Sequence, residues 1–371
     1  MTEIVSGRLV LDAAVVPGHV HLADGHIVAV ELDPAARGPY VAPGFVDVHV
    51  HGWGGHDAMG STADLDGMAR ALLRHGVTSF LPTAVTAGID TLRAFADRVR
   101  AWMPNAPADG SDPLGFNLEG PFISPRRKGA QNPAYIASPA AVSREALEPL
   151  LAGLRVMTVA PEIPGALELI RWLAARDVAP SLGHSAATVE EARAGYAAGG
   201  RTTTHLFNAM SGVDHHAPGL AVAALTDDDA YAELIADGHH VLPALWPIVL
   251  RTKPAGRVLL VSDALSIAGM GEGRTTVGGM DVQVVGERAT LAGSDTLAGS
   301  VIALDSAVRN LVRADVPLHL ACAAAGANPL ALLGVGDRGR IVTGQRADLV
   351  ELDDDLRVVG VLRAGERIAL E

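Results

Sequence analysis

The stretch "FVDVHV", residues 45–50, lies inside the longer run "VAPGFVDVHVHGWGG", residues 41–55, and puts His49 and His51 two apart at the end of an apolar segment. Side chains two apart on a strand project to the same side, so the two imidazoles can face one point together. Two histidines can also do no more than cap a strand. The difference lies in what the rest of the chain brings to the same place.

Seven further strand-length apolar runs follow: 77–82 "VTSFLP", 114–118 "LGFNL", 155–160 "RVMTVA", 179–183 "APSLG", 201–205 "RTTTH", 231–236 "YAELIA" and 257–262 "RVLLVS". Helix-length segments rich in Ala, Leu and Arg, such as "LDGMARALLRHG" and "ATVEEARAGYAAG", lie between them. This alternation is the rhythm of a parallel sheet, and eight such units predict a closed (β/α)8 barrel of the TIM type. The ends of the chain differ. "EIVSGRLVLD", "HVHLADGHIVAVELD" and "ADLVELDDDLRVVGVLRAGERIAL" read as short alternating strands joined by turns such as Asp24-Gly25. The expected fold class is therefore α/β: a barrel over residues 41–340, with a small β-sandwich domain made from residues 1–40 and 341–371. A hairpin inserted after the eighth strand is expected over residues 275–292.

Composition bounds the function. The 371 residues are 49% hydrophobic and 19% charged, enough for a large core, and the formal charge of −13 disfavours nucleic acid or an anionic membrane as partner. An anionic substrate would need a local positive site. The single cysteine, Cys322, excludes an internal disulfide and, in "LACAAAG", reads as core packing. The opening residues lack the pattern of a signal peptide, and no run is long and apolar enough to cross a membrane, so the cytoplasm is the expected compartment.

Polar residues recur at one place in the pattern. His49 and His51 end the first strand, Glu119 follows the third, His184 the fifth, His205 the sixth and Asp263 the eighth. All six fall at the C-terminal face of the expected barrel, where such folds carry catalysis. Taken singly, Glu119 reads as a salt-bridge partner and Asp263 as a helix cap. Six matching positions point instead to one shared site. Imidazoles and a carboxylate suit a divalent transition metal, with coordination left open for water. His19, His21, His26, His56, His75 and His319 lie off the strand ends and read as surface or packing residues.

This order of residues resembles the amidohydrolase superfamily. More narrowly, "PGFVDVHVHG", "NLEGPFISPRRKGAQNP", "GHSAAT", "THLFNAMSG", "DGHHV", "LVSDAL" and "DTLAGS" resemble the N-acetylglucosamine-6-phosphate deacetylases over nearly the whole chain. The resemblance implies that Glu119, His184 and His205 are the main metal ligands. It implies that His49 and His51 match a pair that holds a second ion in members keeping both histidines. One or two divalent ions are therefore expected, zinc first, with iron, manganese or cobalt as alternatives. Asp263 matches the catalytic acid and base, His240 the histidine contacting the acetyl carbonyl, and Asn208 with Ala209 a phosphate site. The implied substrate is a small amino-sugar phosphate and the implied assembly a homodimer.

Two positions depart from the family pattern. His216 in "MSGVDHHAPG" stands where many members have a phosphate-binding arginine, often supplied by a neighbouring subunit, and Gln131 stands where a histidine is common. Arg126, Arg127 and Lys128 could supply the missing charge as a lid, or form a solvated loop. A deacetylase of N-acetylgalactosamine 6-phosphate or of an unphosphorylated amino sugar, and a non-catalytic sugar-binding relative, are the alternative readings. A dihydroorotase or hydantoinase type would want a lysine after the fourth strand, which here ends "VAPE".

Overall fold

The computed structural model describes residues 3–370. Eight parallel strands run in chain order around the barrel: Phe45–Val50, Val77–Ala84, Phe116–Leu118, Leu154–Val159, Ala179–Leu182, Thr202–Thr203, Tyr231–Leu234 and Val258–Leu260. Every residue of Phe45–Val50 and Val77–Ala84 is buried, which is why these segments read as near-continuous apolar runs. The seam between the eighth and first strands is closed by backbone bonds at their ends. Asp263 N–H donates to His49 O at 2.8 Å, and His51 N–H to Ala264 O at 2.9 Å. Two segments carrying candidate site residues thus close the barrel.

Helices seal the outside of the sheet. Thr62–Leu73 shows how the sequence starts one: the Ser61 side chain accepts from Asp64 N–H while the Asp64 side chain accepts from Ser61 N–H. Its Leu65, Met68, Leu72 and Leu73, at helical spacing, are buried in the cluster between helices and strands. A second cluster joins Val46, Val48, Leu81, Val156 and Leu259 to Leu330 and Leu333 near the end of the barrel chain.

Both termini contribute to a separate seven-stranded sheet, ordered Glu366–Ile368, Val358–Arg363, Leu349–Leu352, Tyr40–Pro43, Glu3–Val10, Val15–Ala23, His26–Leu32. It is one continuous hydrogen-bonded sheet that shares an apolar cluster including Val5, Val20, Ile27, Val41, Leu349 and Leu362. Tyr40–Pro43 lies in the middle of this sheet, pairing with Arg8–Leu9 and with Leu349–Leu352, so the sheet reaches past the expected boundary at residue 41. The Asp24-Gly25 turn has positive φ at both residues, 49° and 77°, as a two-residue hairpin of this twist requires. The insertion after the eighth strand corrects the expected hairpin. It is a three-stranded meander, Gly273–Val277, Met280–Val285 and Arg288–Leu291, because "ERATL" turns back to pair again.

Asp112 ties the barrel to the terminal sheet. Its carboxylate lies 2.6 Å from Arg338, 2.7 Å from Arg346 and 3.0 Å from Arg363. Burial opposes ionisation of Asp112, but the three guanidiniums outweigh it and hold its carboxyl at about 2, against an ordinary 3.8. A depressed folded pKa stabilises the fold above the unfolded value, and that stability is lost as pH falls through the folded one. Asp112→Asn should therefore cost about 2 kcal/mol at neutral pH. In urea unfolding, the gap between wild type and variant should close as pH drops from about 4 toward about 2; a gap independent of pH would show that the network adds no charge-dependent stability.

Candidate active site

Glu119 stands at the end of the third strand, with its N–H donating to Ala84 O on the second strand. Its Oε1 lies 2.9 Å from His184 Nε2, 2.9 Å from His205 Nε2 and 3.7 Å from His49 Nε2, and its Oε2 lies 3.3 Å from His51 Nε2. Asp263 Oδ1 adds contacts of 3.1 Å to His51 Nε2 and 3.5 Å to His49 Nε2. Four imidazoles and two carboxylates, all buried, therefore converge from the first, third, fifth, sixth and eighth strand ends. The six residues singled out by their place at the strand ends are brought together.

The backbone is forced to achieve this. His184, His205, Ala209 and Asp263 have φ of 45°, 27°, 47° and 51°, a left-handed region that costs non-glycine residues energy. The basic segment beside the cluster is held as tightly. Arg127 O accepts from His184 Nδ1 at 3.0 Å, and Ser124 N–H donates to His184 O at 2.8 Å. Gly129, at φ +56°, passes so close that an added Cβ would sit 3.2 Å from His184 Cε1.

The outward nitrogens fix the ring tautomers. His51 Nδ1 faces Thr83 O at 3.1 Å, and His49 Nδ1 faces Glu233 Oε2 at 3.0 Å. These partners, like Arg127 O, only accept, so each Nδ1 carries a proton and each Nε2 points into the cluster. His49 Nε2 is buried with no hydrogen-bond partner. Burial opposes charge on His49, yet Glu233, Asp263 and Glu119 raise it to about 9, and His51 is raised well above its usual value by Asp263 and Glu119 against the same burial. Conversely, burial opposes ionisation of Glu119, but His184, His205 and His51 hold it well below the usual carboxylate range. The field at this point calls for positive charge, which protons or a cation can supply.

Two donor sets meet the spacing a metal ion needs, one of His49, His51 and Glu119 and the other of Glu119, His184 and His205. Each group's donor atoms lie within 4.8 Å of one another. With an inward Nε2 on His49 that nothing else satisfies, the residues present fit one or two divalent ions sharing Glu119.

A cleft of about 610 Å³ opens above the cluster. Its walls include Arg126, Arg127, Lys128, Gln131, Asn208, Ala209 and His240, and its roof includes Val277 of the inserted meander. His240 is oriented by Asp237, whose Oδ2 lies 2.6 Å from His240 Nδ1 and whose Oδ1 accepts from the N–H groups of His239 and His240, each at 2.8 Å. Gln131 lies where a substrate contact was expected but also serves the cluster, donating to Glu119 Oε2 while accepting from Thr86 N–H. His216 differs. It is exposed in the loop after the sixth strand, its ring centroid 4.0 Å from that of His215, and it does not line the cleft of its own chain. Cys322 is buried far along the chain in a helix, and burial pushes its thiol up to about 12, consistent with packing and not with a nucleophile.

Asp237 and Glu233 were not anticipated. "DGHH" does contain the signal for Asp237, because a carboxylate three residues before a histidine can reach both its backbone and its ring. Glu233 gave none, since a lone acid inside "YAELIA" says nothing about a histidine 184 positions away.

A barrel with buried imidazoles and carboxylates converging at its C-terminal face defines a metal-dependent hydrolase class. Residues 40–368 match the profile of the amidohydrolase family, and the chain belongs to that family. It is 38% identical to N-acetylgalactosamine-6-phosphate deacetylase of Escherichia coli O157:H7, covering 99% of each chain. It is also 38% identical to N-acetylglucosamine-6-phosphate deacetylase of Homo sapiens, covering 89% of this chain and 84% of that one. A variant N-acetyl-D-glucosamine-6-phosphate deacetylase of Mycobacterium smegmatis, solved in complex with N-acetyl-D-glucosamine-6-phosphate, is similar throughout, with a TM-score of 0.90 and 35% identity over 99% of this chain and 100% of that one.

His184→Ala and His205→Ala should each abolish uptake of a tightly held divalent ion, measured by elemental analysis after dialysis, whereas His216→Ala should leave the metal content unchanged. Full metal content in the first two variants would place the ion elsewhere.

Proposed function

We propose that this chain hydrolyses the N-acetyl group of N-acetyl-D-glucosamine 6-phosphate, giving D-glucosamine 6-phosphate and acetate. The observation that carries the reading is the position of Asp263: an ionised carboxylate at the cluster's edge, facing a cleft large enough for a sugar phosphate. Glu119, His184 and His205 would hold one ion, and His49 and His51 with Glu119 a second, zinc being the first choice for this donor set. A bound divalent ion supplies Lewis acidity and lowers the pKa of its water from about 15.7 toward about 7.

The side chains do the rest. Burial raises the proton affinity of Asp263, but His51 and His49 outweigh it and keep the carboxyl below its usual value, so it is ready to accept the proton of the attacking water. When the carbon–nitrogen bond breaks, the same carboxyl returns that proton to the sugar nitrogen, which leaves as an amine. His240, held by Asp237 with Nδ1 outward, presents Nε2 to the cleft. There Nε2 would contact the acetyl oxygen as negative charge develops on it.

The phosphate would be held by the loops beside His184. Asn208 and Ala209, on the positive-φ turn after His205, lie there with Arg126, Arg127 and Lys128 of the basic loop. That loop is fastened through Arg127 O to His184, which supports a lid over the site and not a free solvated segment. His216 could reach a phosphate only from a neighbouring copy. The exposed apolar run Leu242, Leu245 and Ile248 after His240 supports a homodimer that would bring it there. The net charge of −13 supports neither nucleic acid nor an anionic membrane as partner, and no described helix is long and apolar enough to cross a membrane. The cytoplasm, where sugar phosphates are made, is the compartment proposed.

N-acetyl-D-galactosamine 6-phosphate is the second reading, favoured by the full-length match to a deacetylase of that name. Acetate release from both sugar phosphates and from unphosphorylated N-acetylglucosamine separates the cases: the glucosamine phosphate should give the highest kcat/KM, and preference for either other sugar would overturn the assignment. Asp263→Asn should keep its metal and fold while turnover falls by roughly 10² to 10⁴, the usual contribution of general acid–base catalysis. Replacing Arg126, Arg127 and Lys128 together by alanine should raise KM for the phosphorylated substrate and leave the unphosphorylated one unmoved; equal effects on both would remove the loop from phosphate recognition.

A further inference from the structure

Glu233 lies on the seventh strand, fully buried, and takes no part in the steps above. Its Oε2 is 3.0 Å from His49 Nδ1 and 3.1 Å from the backbone N of His205, while its Oε1 has no hydrogen-bond partner. A carboxylate buried with one oxygen unsatisfied is expensive, and packing alone would be better served by an apolar side chain. His51 and His184 have their outer nitrogens held by neutral backbone carbonyls, Thr83 O and Arg127 O. The outer nitrogen of His205 has no partner, and among the four imidazoles only that of His49 faces a carboxylate.

That difference has a chemical meaning. A carboxylate behind a metal-ligating imidazole fixes its tautomer and raises its basicity. Here it sends the unpartnered Nε2 of His49 toward Glu119 Oε1 and Asp263 Oδ1, at 3.7 and 3.5 Å. By accepting from His205 N–H, the same oxygen joins the strand end of one donor set to the ring of the other.

We infer that Glu233 is a positioning residue that makes His49 a strong ligand through Nε2, so that the ion at His49, His51 and Glu119 depends on Glu233 while the ion at Glu119, His184 and His205 does not. The inference rests on the metal-dependent reading given above. Glu233→Gln is the informative change, because the amide oxygen can still accept from both His49 and His205 but carries no charge.

Apoprotein titrated with Zn²⁺ against a competing chelator should bind two ions in the wild type. Glu233→Gln should weaken the second by about 10- to 100-fold and change the first by less than about threefold. Circular dichroism and apoprotein melting should match the wild type, and Glu233→Asp, which restores charge at a shorter reach, should recover part of the lost affinity. In a His49→Ala background, Glu233→Gln should have no further effect on zinc binding, since the ligand it acts through is gone. Two ions bound with unchanged affinity in Glu233→Gln, equal weakening of both, or a wild type that takes only one ion would each overturn the inference. A wild type that binds no zinc would instead sink the metal-dependent reading itself.

Discussion

The buried Glu119 carboxylate is the constraint around which the mouth of the barrel is built. An ion of this kind cannot be left unpaired in the interior, and four imidazole nitrogens from three strand ends supply its partners. To bring them within reach, the chain holds His184, His205 and Asp263 in left-handed backbone conformations and closes the barrel with hydrogen bonds at His49 and His51. Strain of this kind persists only when the surrounding structure over-determines it. The closed sheet and its sealed helices do that.

The arrangement was partly legible because a barrel turns a sequence pattern into a spatial one. Once eight apolar runs are counted, a polar residue at the end of each falls on one face, and His49, His51, Glu119, His184, His205 and Asp263 follow without any knowledge of their contacts. The Asp24-Gly25 turn was equally readable, since only that chemistry tolerates positive φ at both central residues. What the sequence left open are pairings between distant positions. Glu233 reaching His49 leaves no periodicity behind, and the third strand of the inserted meander was hidden because "ERATL" is too short to stand out from a hairpin. His216 is a different case: its place in a motif suggests a contact with the phosphate of a neighbouring copy, and in its own chain the side chain is exposed beside His215.

Charge is distributed to suit this chemistry. The chain as a whole carries −13, yet the cleft is bordered by Arg126, Arg127 and Lys128. In the proposed reaction, such a cationic rim in an acidic protein would focus an anionic substrate on this cleft. Because Arg127 O accepts from His184 Nδ1, the basic loop is tied directly to the floor of the cleft. Asp112 and its three arginines do comparable work away from the site, clamping the terminal sheet to the barrel.

Anomalous diffraction at the zinc edge, from crystals grown with Zn²⁺, tests the central claim most directly. A peak in contact with Glu119 and the Nε2 atoms of His184 and His205, with a second beside His49 and His51, is the result predicted. Zinc-soaked crystals with no anomalous density at Glu119, or with density only at surface histidines such as His19 or His216, would contradict it.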